Sequence, residues 1–95
     1  MTAIRKILAL TDRLVVAAET EGIEVGHISL HQITGISLYA EQDDLTPALA
    51  VALGLTHRHV MSQPKDTHDV EFFDAELDGV NVSTHHRIAR LAVAS

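Results

Sequence analysis

Residues 68–84 run His68-Asp69-Val70-Glu71-Phe72-Phe73-Asp74-Ala75-Glu76-Leu77-Asp78-Gly79-Val80-Asn81-Val82-Ser83-Thr84. Asp78-Gly79 is a dipeptide suited to two-residue hairpin turns, which need positive φ. After it, Val80, Val82 and Thr84 alternate with Asn81 and Ser83, the period of a strand with one buried face. Before it, Val70/Phe72 and Phe73/Ala75/Leu77 fall in opposite phases and cannot all face one way, so a β-bulge is expected there. Upstream, Leu55 to Ser62 forms another run, followed by the turn Gln63-Pro64-Lys65-Asp66-Thr67. The last third therefore reads as a three-stranded meander. Residues 87–95 are apolar apart from Arg87 and Arg90, and suit a strand extension, a short helix or an interface arm.

Outward from the meander, Leu45, Ala48, Leu49, Ala52 and Leu53 recur at helical spacing. Asp43 or Asp44 is placed to cap that helix, Pro47 fits its first turn, and Gly54 stops it. Ahead of it, Ile28 and Leu30 alternate with His27, Ser29 and His31, and Ile36, Leu38 and Ala40 alternate with Ser37, Tyr39 and Glu41. Thr34-Gly35 lies between the two runs, which predicts a β-hairpin. The amino-terminal segment carries Ile4, Ile7, Leu8, Leu14, Val15 and Ala18 at helical spacing, with Thr11 completing that face. Thr2 stands at the capping position and Gly22 at the stop. The order is α-β-β-α-β-β-β. It predicts a single α+β domain over 1–95, a two-layer sandwich with a mostly antiparallel five-stranded sheet and both helices on one face.

The 95 residues contain no cysteine, so disulfides, thiol catalysis and Cys-ligated zinc are excluded. No apolar run approaches the roughly 18–20 residues of a membrane span, and no signal peptide is recognisable, so a cytoplasmic, non-membrane protein is expected. Residues 19–78 hold twelve acids against Arg58 and Lys65, while the end segments hold five of the seven basic residues against Asp12. That acidic middle opposes a nucleic-acid backbone. It leaves a small DNA-associated regulator, acting through the basic ends, or a nucleic-acid mimic as alternatives to the main expectation.

Seven histidines stand out: His27, His31, His57, His59, His68, His85 and His86. On a strand, His57-x-His59 directs both imidazoles to one face, and a third ligand is expected from His68 or His85 on neighbouring strands, or from a carboxylate such as Asp69 or Glu71. This is the donor type zinc takes, and zinc is the alternative to having no cofactor. No nucleophile elbow and no glycine-rich phosphate loop is present, so a non-enzymatic protein is expected. The uncovered sheet face displays His27, Ser29, His31 and Tyr39, with some of Arg58 or the His57/His59 pair. With Arg87, Ile88 and Leu91 the first four make the candidate interaction surface, for a host protein or a second copy in a homo-oligomer.

Three features, the short hairpin, a helix ending Ala52-Leu53-Gly54-Leu55, and a meander turning at Leu77-Asp78-Gly79-Val80, together give residues 26–86 a resemblance. They resemble small actinobacterial and actinobacteriophage proteins of unassigned function. The resemblance implies a phage or mobile-element accessory protein that binds a host component, and it carries no catalytic residues.

Overall fold

A computed structural model describes residues 3–31, 35–62 and 67–89. The elements follow the expected order: α1 (Ala3–Thr20), β1 (Val25–His31), β2 (Gly35–Ala40), a 3-10 turn (Asp43–Leu45), α2 (Thr46–Leu53), β3 (His57–Met61), β4 (His68–Leu77) and β5 (Val80–Ala89). The five strands form one open sheet in the spatial order β1-β2-β5-β4-β3. Every pairing is antiparallel except β2 with β5, where Ile36 and Ser37 lie beside Val82 and Ser83. The hairpin and the meander are thus two local units, and the long β2-to-β3 connection lays them together in parallel.

Two positions fix this arrangement by backbone geometry. Asp78 and Gly79 both adopt positive φ, 52° and 76°, giving the mirror-image turn whose twist suits a two-residue hairpin between β4 and β5. Gly35 has φ 107°, and a Cβ there would lie 1.9 Å from the Asn81 carbonyl oxygen. Only glycine lets the start of β2 approach β5 so closely.

The core lies between the helices and one sheet face. Ile36 and Leu38 of β2, Val82 of β5 and Phe73 of β4 meet Ile7, Leu10, Leu14 and Ala18 of α1 and Leu49, Ala50 and Leu53 of α2. α1 lies across β1 and β2, whereas α2 lies across β2, β5 and β4. Neither helix roofs β3 to a comparable extent, and all five β3 residues are exposed.

Three sequence expectations change. The β4 phase reversal produces no bulge, because its pairing with both β3 and β5 is regular throughout. Instead Phe72 points to the open face, and Glu71 takes the core-facing position that alternation assigns to it. The irregularity falls between Val25 and His27, where Gly26 is the extra residue. In α1, Leu10 is buried while Ile4 and Leu8 are each half exposed, so the buried stripe is rotated from the predicted one. Neither Asp43 nor Asp44 caps α2 through its side chain. Thr46 Oγ1 donates to the Asp43 carbonyl at 2.7 Å instead. The expected cap Thr2, Thr34 of the hairpin turn, residues 63–66, Arg90 and Leu91 lie outside the described residues.

Candidate functional site

Strand alternation sorts the histidines. His27 and His31 on β1, His57 and His59 on β3, His68 on β4 and His85 on β5 all share the sheet face opposite α1 and α2. His86, one residue on, faces the core. On the open face the register aligns five rings in a row across all five strands. His27 lies 5.5 Å from Tyr39, and Tyr39 lies 4.9 Å from His85, edge-on. His85 is 5.1 Å from Phe72, and Phe72 is 5.3 Å from His59, again edge-on. These separations match the strand spacing of about 4.8 Å, so sheet geometry itself assembles the row.

A polar row lies alongside. Ser29, Ser37, Ser83, Asp74 and His57 are successive register partners. The Ser37 and Ser83 hydroxyls share a hydrogen bond at 3.0 Å, and the His27 imidazole bonds Ser29 Oγ at 3.2 Å. At the β3 edge, Asp74 stands 3.6 Å from both His57 Nδ1 and His59 Nε2. Permanent charge on this face is sparse: Asp74, Glu76 and Arg87 against fifteen or so residues of rings, serines and apolar groups.

The residues named from sequence divide accordingly. His27, Ser29, His31, Tyr39 and Arg87 share the open face. Ile88 belongs to the opposite face, beside Asp69 in the register, because it is one residue out of phase with Arg87. His68 is separated from the His57 and His59 pair. It lies four positions along β4 from Phe72, the partner of His59, roughly 13 Å away at strand rise. Among the described residues, no group of three or more His, Asp or Glu side chains is arranged to hold a metal ion. Phe72, Ser37 and Ser83 were not singled out by sequence reasoning, and His85 was not placed on this face. The signal for them was the β4 phase reversal, had Glu71 been assigned to the core.

A second cluster lies on the core face. His86 Nε2 meets Glu71 Oε1 at 2.6 Å, and Arg58 Nε donates to Glu71 Oε2 at 2.5 Å. His86 Nδ1 meets the Asp43 carbonyl at 3.1 Å, with the exposed Asp43 carboxylate farther off at 3.8 Å. His86 and Glu71 are both 7% exposed. Both imidazole nitrogens face oxygen atoms, the Glu71 carboxylate on one side and the Asp43 carbonyl on the other. Burial alone pushes the Glu71 carboxyl up. The hydrogen bonds from His86 and Arg58, and their positive charges, outweigh burial and hold it below its ordinary value of 4.5. This cluster ties β5, β4, β3 and the 3-10 turn together, and Arg58 anchors the unroofed β3 on the core side. Beside it, the buried Thr84 hydroxyl has no hydrogen-bond partner among the described residues.

Among the described residues, no helix is long and apolar enough to cross a membrane. In comparisons with known proteins, no family model matches this chain, and no curated protein or solved structure matches it either.

Proposed function

We propose that this chain is a non-enzymatic binding protein that works through the open face of its sheet and takes a second copy of itself there. The supporting observation is the row His27, Tyr39, His85, Phe72, His59. The outer face of an antiparallel sheet is ordinarily polar and solvated. This one instead carries rings, with Val70 and Met61 beside them and few fixed charges, the composition that marks the centre of a protein interface.

The row is also self-complementary. Its ring types alternate imidazole, aromatic, imidazole, aromatic, imidazole, symmetric about β5. A two-fold axis parallel to β5 and midway between two copies sets Phe72 over the second copy's Tyr39 and imidazole over imidazole.

Sedimentation equilibrium tests this. The wild-type protein is expected to dimerise, while Phe72→Ser and Tyr39→Ser each shift the equilibrium to monomer and leave the far-ultraviolet spectrum unchanged. A wild type that stays monomeric up to about 1 mM, weaker than specific interfaces of standard size, would overturn the proposal.

A further inference from the structure

Beyond self-association, we infer that the acidic end of the molecule, where α2 meets the connection between α1 and β1, is a second docking surface for a basic amphipathic segment of another protein. α2 reads Thr-Pro-Ala-Leu-Ala-Val-Ala-Leu, with no charged side chain, and its single hydroxyl, on Thr46, is buried. A helix that is apolar all round belongs inside a core. Here one side of it is bare: Ala48 is exposed and Val51 is 81% exposed. Ile23, Leu45, Ala48, Val51 and Ala52, with Glu21 at the rim, line a depression of about 650 Å³.

The frame around that floor is acidic. Glu19 and Glu24 line the adjoining hollow beside Ile23. Asp44 directly precedes Leu45, and the Glu41 backbone N–H donates to the Glu24 carbonyl, which brings Glu41 to the same end. Between Arg13 and Arg58 the sequence holds six acids, Glu19, Glu21, Glu24, Glu41, Asp43 and Asp44, and no lysine or arginine. None of the described ion pairs reaches Glu19, Glu21, Glu24, Glu41 or Asp44.

An apolar floor within an acidic frame that none of the described ion pairs neutralises is complementary to a segment with aliphatic anchors at helical spacing and Lys or Arg between them. A nucleic-acid backbone is repelled by the same frame. The chain's own basic, apolar segment at the start of α1 offers only Arg5 and Lys6 against six acids, so a partner richer in cations fits better. The surface lies on the helix side of the sheet. Its failure and the failure of the open-face reading are therefore separable.

The test is fluorescence anisotropy of the full chain with a labelled synthetic peptide of about 16 residues, helix-forming, with Leu on one face and Lys and Arg elsewhere. A scrambled peptide of the same composition is the control. The patterned peptide is expected to bind about tenfold or more tightly than the scrambled one. Val51→Glu, at an exposed position, and the double variant Glu21→Lys/Glu24→Lys are each expected to weaken it by a similar factor. Amide shifts should gather at residues 21–24 and 45–52. Equal binding of the scrambled peptide, indifference to Val51→Glu, or shifts on the open sheet face would overturn the inference. Salt-sensitive chains of the protein alone, abolished by Lys6→Glu, would overturn it in favour of a second copy.

Discussion

His85 and His86 are consecutive in β5, yet one belongs to a row of rings on the open face and the other to a buried hydrogen-bonded cluster. His85 stands between Tyr39 and Phe72 on the open face. His86 is 7% exposed, with Glu71 on one nitrogen and the Asp43 carbonyl on the other. The residue type is the same and the backbone is continuous. Only the two-residue period of the strand separates them. The two sheet faces therefore use the same residue type differently: in a buried polar cluster on the covered side and, in the proposed reading, for recognition on the open one.

The largest expected effect comes from breaking the covered side. His86→Ala leaves Glu71 buried with Arg58 alone, and removal of one partner from a buried pair typically costs about 3–5 kcal/mol. Against a total of about 5–15 kcal/mol, that is a large share, so the variant is expected to melt far below the wild type by circular dichroism. His85→Ala should instead cost well under about 1 kcal/mol, as expected for a surface substitution. Equal melting shifts for the two variants would erase the contrast between the faces.

The next effect is the pH dependence that Glu71 imposes. Its folded pKa is lowered, so below its ordinary value of 4.5 the unfolded chain takes up a proton that the folded chain refuses. Stability is therefore full above that value and falls as pH drops through it. Urea melts between pH 6 and pH 3 should show this slope in the wild type. In Glu71→Gln the slope should be shallower. That variant is also expected to be less stable at pH 6, where the wild-type carboxylate is paired. An unchanged slope would mean that the carboxyl is not held by His86 and Arg58.

The smallest effect sharpens the covered side from the opposite direction. Thr84 is fully buried and its hydroxyl has no partner among the described residues. Thr84→Val keeps the shape and removes an unsatisfied polar group, so it is expected to raise stability by about 1 kcal/mol. A loss of stability in thermal melts would show that the hydroxyl has found a partner.

How much of this was legible in sequence follows from which interactions are local. The alternation in 80–84, the Asp78-Gly79 turn and the presence of α2 are set by neighbouring residues, and the element order and sheet class follow from them; the buried side of α2 differs from the predicted stripe, with Thr46 and Ala50 buried and Ala48 exposed. The parallel pairing of β2 with β5 is not local. It depends on Gly35 fitting beside Asn81, and no pattern within either segment announces it. The β4 phase reversal was visible but suggested a bulge, because the alternative placed a glutamate in the core. That glutamate is tolerable only with His86 and Arg58 beside it, fifteen and thirteen residues away. The ring row was half legible. His27 and Tyr39 could be placed on the open face from the hairpin alone, whereas Phe72 and His85 required the register of the meander. The His57, His59 and His68 grouping shows the same limit. Shared residue type and adjacent strands put His68 near the pair in sequence terms, and strand register put it about four residues too far along.

The most direct test is a concentration series of amide-resolved NMR spectra on the wild-type protein. Signals of Ser37, Tyr39, Phe72, Ser83 and His85 are predicted to shift together as concentration rises, while those of α2 stay fixed. Shifts confined to the helices, or none at all at any concentration, would contradict a sheet whose open face is the place of binding.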